Sequence, residues 1–234
     1  MILCMTRLSK EDVMATPKII DSYQEFLTHF KIDRESFFEW GISVTIFPPA
    51  DKVASEWERL KKRIFNNQTV YIRGYGRDAH GTQMYKDFYA KLLGNTHVEK
   101  DPTNNAIPHG LIQCTTELKR NSDIYNYQVS HIWGRTKNVF MFGAPWNICY
   151  VPKIMDPFTG HETKGIWPAE YQKLFKRKAD ELYRPFVDEY NWILKSLDVE
   201  KQLQEYISSL AGQIPAKKLA QFSKDAAGEL SPVI

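Results

Sequence analysis

His131, Asn147, Asp156 and His161 follow one another within residues 127–165. His131 follows a short β-like run containing Tyr127 and Val129, and Asn147 opens a second one made of Ile148, Cys149, Tyr150 and Val151. Such a set can hydrolyse a phosphodiester. Imidazole is the side chain that titrates near neutral pH without perturbation, so a histidine can take the proton of an attacking water. The departing oxygen needs a cation beside it, and a hard ion such as Mg²⁺ is held by few oxygen ligands together with water and substrate phosphate. His131 can serve as the base. Asn147, Asp156 and His161 can hold the metal or brace the loop between the two runs.

Each of these residues also has an ordinary employment. A histidine after a strand is commonly a hydrogen-bonded structural residue. His161 follows Thr159-Gly160 and can bond the backbone of a turn. Asp156 before Pro157 is a usual turn opener, and Asn147 after Pro145-Trp146 is compatible with a turn.

Cations and aromatics surround the proposed base. Lys119, Arg120, Arg135 and Lys137 are interleaved with Tyr125, Tyr127 and Trp133, a pattern suited to a DNA-facing hairpin. The loop 133–138 is expected to project beside the scissile phosphate. Upstream, Arg73-Gly74-Tyr75-Gly76-Arg77 interleaves two glycines with two arginines and a tyrosine, so its backbone can approach a phosphate closely, and an ordinary strand-to-helix turn is the plainer reading. No Gly-Lys-Ser/Thr follows it, which excludes a P-loop.

The elements that position these groups follow from periodicity. Apolar residues at helical spacing predict helices over 17–31, 51–64 and 82–93, the last stopped by Gly94. The β-branched and aromatic stretch 38–47 predicts a strand, and 69–72 another. Residues 100–107 read as a polar loop and 109–118 as a short helix. Beyond Gly165 the pattern is helical, with Pro185 expected to kink or divide the first long helix, and shorter helices over 199–210 and 215–227.

Composition sets the frame. With 43% hydrophobic and 25% charged residues, the 234-residue chain has enough apolar material for a packed core. The net charge of +3 means that any nucleic-acid footprint must be a local patch. Cys4, Cys114 and Cys149 are odd in number and far apart, so neither a disulfide framework nor a zinc knuckle is implied. With no secretory pattern at the N-terminus and no apolar run of spanning length, a cytoplasmic protein with no membrane association is expected.

The succession Ser130-His131-Ile132, Asn147-Ile148, Pro152-Lys153 and His161 resembles the HNH, or ββα-metal, endonuclease motif over residues 127–165, in its restriction-enzyme-like or bacteriocin-DNase-like form. The resemblance implies that His131 activates water, that Asn147 pins the loop or binds the metal, and that His161 or Asp156 is the late ligand. It also implies one divalent cation, Mg²⁺ with Mn²⁺ or Ni²⁺ as substitutes. Ser130 stands where the family carries a metal-binding Asp or His, and Pro157 and Gly160 work against a clean helix after the second strand. The expected fold is α+β, with helical N- and C-terminal regions around a ββα-metal hairpin. Its segments are a mixed region 1–118 for target recognition, a catalytic hairpin 119–165 and a helical region 166–234, unless all three form one domain. The expected activity is metal-dependent cleavage of DNA, as in a restriction or defence enzyme, with a homodimer if the target is palindromic. The alternative is a nucleic-acid-binding protein with a degenerate hairpin that no longer cuts.

Overall fold

A computed structural model describes residues 20–74, 81–160 and 163–233. Two short helices come first, α1 (Ser22–His29) and α2 (Arg34–Ser43). Each is started by an aspartate. Asp21 accepts from the Tyr23 and Gln24 N–H groups at 3.0 and 3.3 Å, and Asp33 accepts from Ser36 N–H at 2.8 Å. The strand expected over 38–47 is therefore mostly helix. Phe38 and Gly41 face inward, Gly41 pressed against Met155 and Tyr171, and this packing overrides the local β propensity. Only Ile46 keeps a β contact, an antiparallel bridge to Tyr150.

Next come α3 (Ala50–Phe65), β1 (Val70–Ile72), α4 (Thr82–Leu93), β2 (Val98–Lys100) and α5 (Ala106–Thr116). β1 and β2 pair in parallel, Val70 opposite Val98, with α4 as the crossover. Gly94 closes α4 in a left-handed conformation, as its position predicted. Then β3 (Tyr127–His131) and β4 (Ile148–Pro152) pair antiparallel, Tyr127 opposite Pro152 and His131 opposite Ile148. The connection between them contains a single helical turn, α6 (Val139–Phe142), and a 3-10 turn at Pro145–Asn147. After β4 comes another 3-10 turn, Asp156–Thr159, ended by Gly160 in a left-handed conformation. A metal-binding helix does not start there. Pro157 and Gly160 confine the segment to one tight turn, and the helix begins only at Ile166.

That helix, α7 (Ile166–Ser196), is the spine of the molecule, followed by α8 (Val199–Ser209) and α9 (Ala216–Glu229). Tyr171, Phe175, Ala179, Tyr183, Val187, Tyr190 and Leu194 recur every three or four residues and are all buried. Pro185 does not divide α7. It lies on the exposed face, as does Glu181, whose carbonyl loses the N–H that residue 185 would otherwise donate. One apolar cluster draws on all three expected segments, from Leu27 and Trp57 through Val139 and Trp146 to Tyr190, Phe222 and Val233. Trp57 and Trp146 meet edge to face at 5.5 Å, and Trp57 donates its indole N–H to Glu189 at 2.6 Å. Among the described residues no helix is long and apolar enough to cross a membrane.

Candidate active site

β3 delivers His131 at its last position, and the ladder continues one step further as Ile132 N–H donates to Asn147 C=O at 2.8 Å. The chain then turns through Gly134 and Arg135, both in the left-handed region, at φ of 67° and 56°. A non-glycine residue there costs roughly 1–3 kcal/mol and persists only where its surroundings hold it. Here they do. The Arg135 guanidinium donates to the carbonyls of Ser231 and Pro232, the latter at 2.8 Å.

The returning loop brings the Phe142 carbonyl to 3.0 Å from His131 Nε2, with the two rings stacked at 5.4 Å. A carbonyl oxygen only accepts, so Nε2 carries the hydrogen and the neutral ring has its lone pair on Nδ1. His131 is only 4% exposed, yet it lines a polar cleft of about 640 Å³. Arg73, Arg120, Arg135 and Asp156 line the same cleft. Five residues singled out from the sequence, drawn from β3 and four loops, thus converge.

Others do not. Asn147 is fully buried, and its amide is occupied within the loop. Oδ1 accepts from Trp133 N–H at 2.9 Å, while Nδ2 donates to the carbonyls of Gly134 at 3.1 Å and Met141 at 2.9 Å. Its place is that of a brace, and metal ligation by Asn147 is withdrawn because no solvent reaches it. Lys137 is a second correction. It is 6% exposed, its ammonium donates to Thr82 Oγ1 at 2.9 Å and lies over the Tyr85 ring, so it packs inward against α4 and does not project toward DNA. Lys119 is exposed but is not part of the cleft wall. Arg77 and His161 lie outside the described residues.

The structure adds groups that the sequence did not single out. Asn138 caps α6 through Phe140 N–H at 2.9 Å and also donates to Tyr190 Oη and to Glu229 C=O. Tyr190 Oη lies 3.2 Å from Ser231 C=O, and burial first of all pushes its phenol up to about 12, which keeps it a donor at neutral pH. Asn191 grips Val233 through two hydrogen bonds of 2.8 Å, and Glu229 Oε2 accepts from Lys137 N–H. Residues 229–233 therefore pack against the loop after β3, and Glu229 lines the cleft. On another side stand Asn104, Asn105 and His109, at the start of α5. Burial, and then the charge of Arg120, hold the His109 ring below its ordinary value, against the pull of Asp101. The one signal available for Asn104 and Asn105 was their position in a polar loop between two elements, which does not distinguish them from other loop residues.

Among the described residues no three His, Cys, Asp or Glu side chains cluster as a metal cage. A hard divalent ion can do with one or two carboxylates plus substrate phosphate. Asp156 and Glu229 both line this cleft, so that minimum is met.

Residues 48–234 match a family model described as "Uncharacterised protein PM1201". The chain belongs to that family. It is 38% identical over 190 residues to Uncharacterized protein PM1201 of Pasteurella multocida (strain Pm70), a match covering 80% of this chain and 86% of the relative. No solved structure matches. The PM1201 match begins just before α3, so it takes in the β3–β4 hairpin and all walls of the cleft and leaves out α1 and α2.

Proposed function

We propose that the cleft at the end of β3 is the active site of a metal-dependent endonuclease that hydrolyses DNA phosphodiesters, with β3, β4 and the following turn as an HNH-like hairpin. The observation that carries this reading is His131 itself. Its Nε2 donates to the Phe142 carbonyl, which fixes the ring, and it stands in one cleft with three arginines and an aspartate. Such a histidine can accept a proton from water as the water oxygen bonds to phosphorus and the P–O3′ bond breaks. Arg73, Arg120 and Arg135 neutralise the phosphate oxygens, and the hydrogen bonds of Asn147 keep the Phe142 carbonyl and His131 in register. Asp156 would hold the divalent cation, which when bound stabilises charge on the leaving oxygen.

Nicking of supercoiled plasmid with Mg²⁺, Mn²⁺ or Ni²⁺, abolished by EDTA, is the expected result. Intact plasmid with all three metals would overturn the enzymatic reading. Ser130 supports a second reading. It lines the cleft beside His131 and offers a neutral hydroxyl where a metal site would profit from an anion. A binding protein of that kind would show salt-sensitive DNA binding without nicking.

A further inference from the structure

The cationic groups of the cleft are not equally occupied. Arg73 donates to Asn104 Oδ1 at 2.9 Å, and Arg135 donates to the Ser231 and Pro232 carbonyls. His131 is held by the Phe142 carbonyl. The Arg120 guanidinium and the His109 imidazole, by contrast, make no hydrogen bond or ion pair among the described residues, and both line the cleft. Each is half-buried, so each keeps surface open to whatever enters. A guanidinium is rich in N–H donors and an imidazolium donates from both nitrogens, yet here neither meets an acceptor from the protein.

The two groups also stand near enough to repel. The Arg120 charge opposes a proton on His109, in the same direction as burial, and Asp101 pulls the other way. Asp101 is fully buried, and its carboxylate is taken up by the Ala106 and Ile107 N–H groups at the start of α5, both at 2.8 Å. The other charged side chains of the cleft are Arg73, Arg135, Asp156 and Glu229. A tetrahedral oxyanion between His109 and Arg120 would accept from both, and its charge would offset the repulsion that keeps the ring unprotonated. Resting on the endonuclease reading, we propose that His109 and Arg120 together bind one phosphate of the DNA, and that His109 takes up a proton as that phosphate arrives. The proton comes from solvent and stays on the ring, and no bond of the substrate changes. Binding is then tighter in acid. Affinity rises as pH falls from above the midpoint of the ring in the complex to below its midpoint in the free protein, and it is level outside that window. Arg73 and Arg135 keep their charge throughout and cannot supply this dependence. His131 is the other imidazole of the cleft, so the test has to tell the two rings apart.

The test is calorimetric binding of the full-length protein to a short DNA duplex with 5′-hydroxyl ends, in EDTA so that nothing is cut. Between about pH 5 and 8, where an imidazole titrates, the charge of such a duplex is constant. Titrations near pH 6 in buffers of different ionisation enthalpy count the protons taken up, and wild type is expected to take up roughly half a proton or more. His109→Gln keeps a donor that does not titrate. It should take up none, bind about tenfold more weakly than wild type near pH 5.5 and approach wild type near pH 8. In the wild-type protein, the ring signal of His109, assigned through its own backbone, should show its titration midpoint raised by about one pH unit on binding. The affinity losses of Arg120→Ala and His109→Gln near pH 5.5 should not add in the double variant, because both groups serve one phosphate. Simple additivity would overturn the shared site. Binding without proton uptake, or uptake that persists in His109→Gln, would overturn the role of His109 and leave the endonuclease reading standing. Absence of any DNA binding by the wild-type protein would overturn both.

Discussion

The amide of Asn147 satisfies backbone groups of Trp133, Gly134 and Met141 at once, so substitution there is an experiment on the loop rather than on the metal. Asn147→Ala should cost about 2–4 kcal/mol in urea unfolding, because it leaves buried donors and acceptors unpaired. Cleavage should fall at every metal concentration, with no rise in the concentration for half-maximal activity. His131→Ala should lose cleavage by about 10²–10⁴-fold in protein that circular dichroism shows to be folded. Near-normal cleavage by that variant would remove His131 from the mechanism. Among the cations, Arg120→Ala should weaken binding to all DNA sequences alike and lower the salt slope by about one. Lys137→Ala should instead lower the melting temperature and leave that slope unchanged, since its ammonium is spent on Thr82 and Tyr85. From sequence, Arg135 and Lys137 look alike, two cations in one polar loop. Their fates diverge because Arg135 reaches the Ser231 and Pro232 carbonyls while Lys137 reaches Thr82 and Tyr85, and residue type alone does not report those distant partners.

Elements with a strong period were legible, and those decided by distant contacts were not. Helix α4 and its Gly94 stop follow from local pattern, as do the paired runs that became β3 and β4. The stretch 38–47 was misread as a strand because its rings and β-branched residues suit either state, and its packing against α7 and Met155 chose helix. β2 went unseen: three residues, only Val98 buried, carry no periodic signal. Pro185 offers an element-scale test. Replacing it by alanine supplies the missing N–H to the carbonyl of Glu181 on the exposed face of α7. Pro185→Ala should therefore stabilise the fold by about 1–3 kcal/mol in thermal unfolding. A loss of stability would mean that the proline fixes a bend on which the packing of α7 depends.

At the scale of the whole molecule the cleft is a meeting place of distant segments: Arg73 after β1, His109 on α5, His131 on β3, Asp156 after β4 and Glu229 at the end of α9. His109 gives this assembly a pH response. Its folded ring binds a proton less readily than the ordinary value of 6.5. The unfolded chain therefore takes up that proton at higher pH, and acidification through 6.5 favours unfolding until the folded ring protonates too. His109→Gln should lose less melting temperature than wild type between pH 7.5 and 5.5. An identical loss would show that His109 titrates the same way in both states. The hairpin could be read from 127–165 alone, but the anchoring of Arg135 by Ser231 and Pro232 could not, because nothing in those residues announces a partner nearly a hundred positions earlier. That distance has a consequence for how the protein comes into being. Translation proceeds from the N-terminus, and a nascent chain that has just completed the turn Asp156–Thr159 already owns His131, Asn147 and Asp156. It lacks Glu229 and the Ser231 and Pro232 carbonyls that hold Arg135 in its left-handed turn. A polypeptide released early, for instance at residue 228, should keep Arg135 unanchored and cut poorly if at all. On the proposed endonuclease reading, a cell would then be spared cleavage by its half-made copies.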